Sequence, residues 1–427
     1  MDRDLSRVPK IGYAGMSHLG INSLAATAAR GFEVLGYDAD PILTAALTEG
    51  RLPVTEPGLA ESLQVHGDRI RFSSDEADLG ACDVVYVSLD VPTDDQGRSD
   101  LTPIQELIST VSAALRADCM LVVLSQVPPG FTRGLSRDGS MLCYQVETLI
   151  FGRAYERAHN PERFIIGCAD PSQPLPANYR AFLEAFDCPI LPMRYESAEL
   201  AKISINLCLV ASVTTANTLA ALCERIGADW SEIVPALKLD ARIGPHAYLN
   251  AGLGLSGGNL ERDLATLVRF GDSLGSDIRA VRAAQANSVQ RRYWVLDRLH
   301  ETILHGSEAP VIAVLGLAYK ENTHSTKNSP ALALLDALRP FPVRAFDPLV
   351  TVESDWHPRL TQSVTAIDAC AGADAVAVMT PWPEFRDLDP ARLASVLRGH
   401  VVIDPHSMLD GMAAAKAGLR HFRLGAG

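Results

Sequence analysis

The chain has 427 residues, 47% apolar and 21% charged, a balance that excludes long disordered tracts and coiled coils and, at roughly 150 residues per domain, predicts two or three domains. Its 51 acidic against 38 basic side chains leave a formal charge of −13, which speaks against nucleic acid or anionic membrane as partners, although a local basic pocket for a phosphate is compatible with it. The eight cysteines stand singly with no C-x-x-C pair, so no zinc knuckle, metal site or disulfide framework is expected and a cytoplasmic location fits; no apolar run approaches the roughly 18 residues of a membrane span, and the opening MDRDLSRVPK lacks the apolar core of a signal peptide.

In chain order, Lys10–Gly15 (KIGYAG) reads as a short apolar strand, and Gly15-Met16-Ser17-His18-Leu19-Gly20 leads into an alanine-rich helix over Ile21–Arg30. A turn at Gly31, a strand over Phe32–Tyr37 and then Asp38 follow. This is the layout of a dinucleotide-binding βαβ unit. The glycines let the backbone approach a pyrophosphate at a helix N-terminus, and the acid faces the ribose hydroxyls. No arginine directly follows Asp38 to hold a 2′-phosphate, which favours NAD over NADP. Ser17 occupies the middle glycine of G-x-G-x-x-G and is expected to place a side chain where the pyrophosphate would approach. The same glycines would equally serve tight strand-to-helix packing with no cofactor present.

Strands over Asp83–Leu89 and Met120–Leu124 alternate with helical stretches, as a doubly wound sheet requires. From about Glu196 to Ile226 runs a helix without proline or glycine, too apolar for a one-sided helix. It is expected to be buried on several faces, some of them against a partner chain. Near Ala309 the alternation restarts with VIAVLGLAY, a helix around Pro330–Leu338 and the strand VRAFD ending at Asp347, an echo of the first unit. The expected class is therefore α/β: two Rossmann-like doubly wound domains, 1–194 and 306–427, joined by a central helical domain, 195–305, with a long helix.

Beyond the βαβ start, eight segments occur in order: VPTDDQGRSDL (91–101), SQVPPG (125–130), ESAELAKISIN (196–206), LDARIGP (239–245), GLGLSGGNLERD (252–263), GLAYKENTHSTKNSPAL (316–332), TPWPEFRDLD (380–389) and VVIDPHSMLD (401–410). Together they resemble the UDP-glucose/GDP-mannose dehydrogenase family over nearly the whole chain. The resemblance implies an NAD-dependent oxidation of a nucleotide sugar in a homodimer formed through the central helix. It implies Gly15, Ser17, His18, Leu19, Gly20, Asp38, Pro92, Thr93, Gln126 and Lys327 at the cofactor. At the nucleotide sugar it implies Arg242, reaching in from the neighbouring subunit, with Tyr248, Tyr319, Lys320 and His406. For the chemistry it implies Lys202, Asn206, Asp263, Asn259 and Glu147.

Members of the family oxidise a primary alcohol to a carboxylate in two hydride transfers, with a cysteine capturing the aldehyde as a thioester that water then opens. Counting back from Asp263 along G-x-G-Y-G-G-x-C-x-P-K-D, the cysteine position holds Asn259. In YQVETLIFGRA (144–154) Glu147 is kept, but the second glutamate of P-E-F-L-R-E-G is Phe151, and the threonine of S-T-V-P is Gln126. All three losses concern making or hydrolysing the acyl-enzyme. Retained are Lys202 and Asn206, four apart on one helix face and suited to an oxyanion, and Asp263, a base acting through a water. Asn259 before Leu260 and Glu261 also reads as the N-cap of the next helix. The family's arginines in D-G-R-N and before S-P are His406 and Lys327, which removes a bidentate phosphate contact in each place and points to a different nucleotide sugar. Three functions compete: an oxidoreductase limited to one alcohol/aldehyde step, a redox-neutral NAD-dependent epimerase, and a nucleotide-sugar-binding protein without catalysis. Cys143 and Cys208 lie near candidate residues in sequence and are expected to be buried structural thiols.

Overall fold

The structure is a computed structural model in which residues 8–92, 94, 97–305, 309–352 and 356–427 are described; Thr93, expected at the cofactor, lies outside them. The chain divides into two compact units, one ending at Ile205 and the other starting at Asn206.

The first unit is built on β1 (Ile11–Ala14), β2 (Val34–Tyr37), β3 (Ile70–Ser73), β4 (Val84–Val87), β5 (Met120–Val123), β6 (Leu142–Gln145), β7 (Phe164–Cys168) and β8 (Ile190–Arg194). They form one sheet in the order β3-β2-β1-β4-β5-β6-β7-β8. All neighbours are parallel except β6 and β7. β1, β2, β4 and β5 read IGYA, VLGY, VVYV and MLVV and are buried at every position, as strands covered by helices on both faces must be. The order reverses between β1 and β4, so a crevice opens beyond the carboxyl ends of these two strands, where doubly wound folds take their ligands. Tyrosines enter this core because their hydroxyls have partners: Tyr86 and Tyr179 both donate to Gln145 Oε1, at 2.9 and 3.0 Å, and Tyr13 stacks on Tyr86 with ring centroids 5.0 Å apart. The strands are one to three residues shorter than their apolar sequence runs. The ladder pairs Ile11 with Val34, leaving Phe32 buried ahead of the strand.

The second unit holds β9 (Ile312–Leu315), β10 (Val343–Phe346), β11 (Leu360–Gln362), β12 (Ala375–Val378), β13 (Val401–Asp404) and β14 (Arg420–Arg423), all parallel in the order β11-β10-β9-β12-β13-β14. Helices over Asn259–Leu274, Arg279–Arg292 and Trp294–Leu299 precede this sheet. Trp294, Val295 and Leu299 are buried in the same core as β9 and β12.

Between the two halves of the sequence lies one 32-residue helix, Tyr195–Ile226, free of the glycine and proline that would end it. Within this chain it buries one stripe, including Ala198, Ile203, Val210, Ala216, Ala220 and Cys223, while Leu219, Leu222 and Ile226 stay exposed. The expected burial on several faces is therefore not met by this chain alone. By length and composition the helix could also cross a membrane, since an 18-residue window has a mean hydropathy of 1.5. A search for an uninterrupted apolar run misses this, because serines, threonines and asparagines break the run without lowering the mean far.

Candidate active site

The carboxyl end of β1 builds a cradle for a dinucleotide. Gly15 turns at φ +94°, and a Cβ on Gly20 would stand 2.0 Å from the Gly15 carbonyl oxygen, so the helix over His18–Ala29 sits against the strand end with no room for a side chain. Asp38 accepts from the Met16 and Asp40 amides at 2.8 and 3.0 Å, which holds its carboxylate over the turn. Ser17 departs from expectation. Its Oγ donates to the Ser88 carbonyl at 3.0 Å and accepts from the Asp90 amide at 3.1 Å, so the side chain is committed to the end of β4 rather than to the space of a pyrophosphate. Leu19 is buried and can offer a ligand only its backbone. The cradle thus fits NAD at the three places the motif requires: the turn, the helix start and the strand-end acid.

His18 opens that helix, and its ring is fixed from two sides. Nε2 is hydrogen-bonded to Glu56 at 2.8 Å, and the ring stacks on Phe151 with centroids 4.2 Å apart. Glu56, whose side chain is 1% exposed, also accepts from the amides of Gly152 and Ala154. Phe151, standing where the resemblance has a glutamate, is thus a wall against the cofactor turn. Nothing in the sequence flags Glu56, 38 residues from its partner.

Further along the same unit, Lys202 Nζ lies 3.6 Å from Glu147 Oε2, with both side chains largely buried, and Glu147 also accepts from the Leu149 amide. Lys202 is therefore a held charge and not a solvated one. One helical turn earlier, the fully buried Glu199 accepts from the amides of Gly130 and Thr132 at 2.6 and 2.9 Å. It locks the turn that follows Ser125-Gln126, and burial holds its carboxyl above the usual range against those hydrogen bonds. Gln126 is half-buried and Pro92 exposed.

In the second unit Asn206 donates to Asp263 Oδ2 at 2.6 Å. Arg262 Nε reaches Asp263 Oδ1 at 3.3 Å, and both residues are buried. The structure thus brings Asn206 and Asp263 together and adds an arginine that motif spacing does not single out, at the lysine of the family pattern. Asn259 is not an N-cap: Gly258 holds that position without a side-chain cap bond, and Asn259 is the first residue of the helix, with its side chain exposed. The glycine-rich loop before it is anchored through Gly252 N to Asn217, Leu255 N to Ser288 and Gly257 N to Lys327 O.

The residues expected at the nucleotide are dispersed in character. Tyr319 and Lys320 form a cation–π pair at 5.7 Å. His406 Nε2 turns inward to the Met379 carbonyl at 3.1 Å, and burial lowers its pKa, which weakens it as a cationic contact for a diphosphate. Arg242, with its side chain 90% exposed, pairs with Asp240 in its own loop at 2.7 Å, and Tyr248 is exposed. Asp347, the echo of Asp38, has its oxygens filled by the amides of Leu317, Ala318, Leu349 and Val350 and by Trp382 Nε1. The second fold has therefore used its strand-end acid internally.

None of the eight cysteines, all among the described residues, is in a disulfide. Cys143 is buried in β6, and its pKa is pushed up by burial, as expected. Cys208 is exposed on the central helix, because helical geometry turns it away from the stripe that holds Asn206. Among the described residues no group of three or more His, Cys, Asp or Glu is placed to hold a metal ion.

Comparison with known proteins agrees with this construction. The UDP-glucose/GDP-mannose dehydrogenase family matches in three consecutive parts: its NAD binding domain over residues 9–182, its central domain over 196–288 and its UDP binding domain over 313–411. The UDP-glucose 6-dehydrogenase AglM of Haloferax volcanii is 30% identical over 418 residues, covering 92% of this chain and 96% of the relative. The UDP-glucose 6-dehydrogenase TuaD of Bacillus subtilis is 28% identical, covering 95% and 91%. A solved UDP-glucose dehydrogenase from Pyrobaculum islandicum superposes with a TM-score of 0.82 at 27% identity, covering 97% of this chain and 99% of that one. With a dinucleotide cradle on the first sheet, a paired Asn206 and Asp263 in the second unit and the family's three parts in the family's order, the chain belongs to the UDP-glucose/GDP-mannose dehydrogenase family and is an NAD-dependent oxidoreductase acting on the CH–OH of a nucleotide sugar.

Proposed function

We propose that this chain carries out a single two-electron step between the alcohol and the aldehyde of a nucleotide sugar. The observation that supports the reading is Asn259, exposed at the start of the helix, at the position where the resemblance implies a cysteine. An amide cannot add to an aldehyde as a thiolate does. The one hydroxyl in the loop, Ser256, is directed to the Tyr319 carbonyl. Phe151 and Gln126 agree with the same reading, since neither supplies the carboxylate or hydroxyl that would orient a hydrolytic water.

Bound NAD supplies the hydride acceptor. As the C–H hydride leaves the alcohol carbon, the hydroxyl proton passes through a water to Asp263. Lys202 and the Asn206 amide stabilise the charge that develops on oxygen, and Glu147 keeps the ammonium from swinging into solvent. Asp38 would hold the ribose of NAD and the His18 end of its helix the pyrophosphate. The relatives named above support UDP-glucose as the first substrate to try, while His406, turned inward to the Met379 carbonyl, favours a sugar nucleotide held differently at its phosphates. The exposed stripe Leu219, Leu222 and Ile226, with the outward-projecting Arg242, supports a homodimer in which Arg242 serves the partner's site. The three-part division at 194/195 and 305/306 and the cytoplasmic location belong to the same proposal.

The stoichiometry of the reaction tests it. With UDP-glucose and a panel of other nucleotide sugars, one NADH per substrate and an aldehyde trapped as a hydrazone is the expected result. Two NADH with a carboxylate product would overturn the single step.

A further inference from the structure

Glu261 stands where the family pattern has proline, two residues beyond Asn259, and its partners lie in two separate segments. One oxygen accepts from Arg292 at 3.1 Å, and the other from the Asn328 side-chain amide. Both donors also hold the glycine-rich loop: Arg292 reaches the Leu255 carbonyl at 3.4 Å, and Asn328 Nδ2 reaches the Gly257 carbonyl at 2.9 Å. Gly257 N returns a bond to the Lys327 carbonyl at 3.1 Å. A Cβ on Gly257 would stand 3.1 Å from the Tyr319 ring, and one on Gly258 would stand 3.4 Å from the Lys327 stem. The loop is therefore pressed on the 319–328 turn over two consecutive glycines.

We propose that Glu261 is a positioning residue that, through Asn328 and Arg292, ties the loop 252–258 to the 319–328 turn, so that a nucleotide bound at that turn fixes the loop carrying Asn259. The proposal rests on the reading of Tyr319 and Lys320 as nucleotide-facing. Its physical basis is a shared amide: the Asn328 NH2 group donates to the Gly257 carbonyl and to Glu261 together, so one side chain of the turn holds both the loop and the helix that follows it. Asn328 also holds the left-handed region at φ +53°, which binds the clasp to the conformation of the turn. Without Glu261 the Asn328 amide keeps only the Gly257 carbonyl as acceptor, and the helix that follows the loop loses its bond to the turn at the place where ligand contact would be transmitted.

Hydrogen–deuterium exchange of the peptide spanning 252–258, measured on the whole protein with and without UDP, tests this. UDP should slow exchange of the wild-type loop by about fivefold. Glu261→Ala and Asn328→Gly, the latter keeping the left-handed backbone, should reduce that response to less than about twofold while UDP affinity stays within about threefold of wild type. A loop that ignores UDP in the wild type, or responds fully in both variants, would overturn the proposal alone. Failure of UDP to bind the wild type would overturn the nucleotide reading of the turn and the proposal with it. Loss of UDP affinity in both variants would overturn it too, because the two residues would then belong to the ligand contact itself.

Discussion

Replacing Gly20 by alanine adds one methyl group at the tightest backbone approach in the cofactor cradle. Its Cβ would lie 2.0 Å from the Gly15 carbonyl oxygen and 2.9 Å from Ser88 Oγ, against about 3.4 Å for ordinary contact. The helix must therefore retreat from the strand end by about 1.4 Å (3.4 − 2.0), because the obstructing atom is backbone and cannot rotate aside. Overpacking of this kind costs about 1–3 kcal/mol of stability. The retreat also carries the amides at the helix start away from the place of a pyrophosphate. A shift on the order of 1 Å in a binding constellation costs about 100-fold in rate; for affinity alone, tenfold corresponds to about 1.4 kcal/mol. Gly20→Ala should accordingly raise the Kd for NAD by at least about tenfold and remove most of the thermal stabilisation that NAD confers. The assay is isothermal titration with NAD, paired with melting curves. Gly67→Ala is the control, since a Cβ there meets nothing within 4 Å. NAD affinity of Gly20→Ala equal to that of Gly67→Ala would refute the role given to the turn.

Asn259→Cys by itself should leave the product an aldehyde, read as one NADH per substrate, because Phe151 and Gln126 still provide no hydrolytic water; efficient carboxylate formation would show that the three departures are not coupled. Asn206→Ala should lower kcat by about 100-fold or more and lower stability by about 1–3 kcal/mol, since the buried Asp263 loses its closest partner. Asp347→Asn should cost about 2 kcal/mol at neutral pH: burial disfavours the charged carboxylate, but four backbone amides outweigh it and hold the folded pKa below the ordinary value. That contribution is complete above the unfolded value of about 3.9 and is lost as pH falls through the folded one, so the melting difference between wild type and variant should shrink in acid. If the proposed homodimer forms through the exposed stripe and Arg242 serves the partner's site, Leu222→Glu should give a monomer in light scattering and abolish turnover; a monomeric variant with full activity would contradict that placement.

The features legible in the amino-acid sequence are local or periodic. The βαβ start, the acid at the end of its second strand, the restart near Ala309 and the helix bearing Lys202 and Asn206 all announce themselves by spacing, because strand and helix periods are properties of the chain itself. The reading of Asn259, Phe151 and Gln126 as departures from the resembled pattern comes likewise from counting along one segment. Pairing across long separations is not. Glu56 meets His18 over 38 residues, Asn206 meets Asp263 over 57, and Glu261 meets Asn328 over 67.

Tertiary structure alone decided how each candidate is used. Ser17, expected at the pyrophosphate, found two backbone partners at the end of β4 and turned to them. Asn259 yielded the cap to Gly258. Asp347, sequence twin of Asp38, was consumed by its own turn. For Ser17 and Asp347 the reason is the same: a polar group near the interior takes whichever donors or acceptors the packed backbone leaves open. Residue type and spacing determined which chemistry this chain could carry, while long-range packing decided which of its polar groups remain available for it.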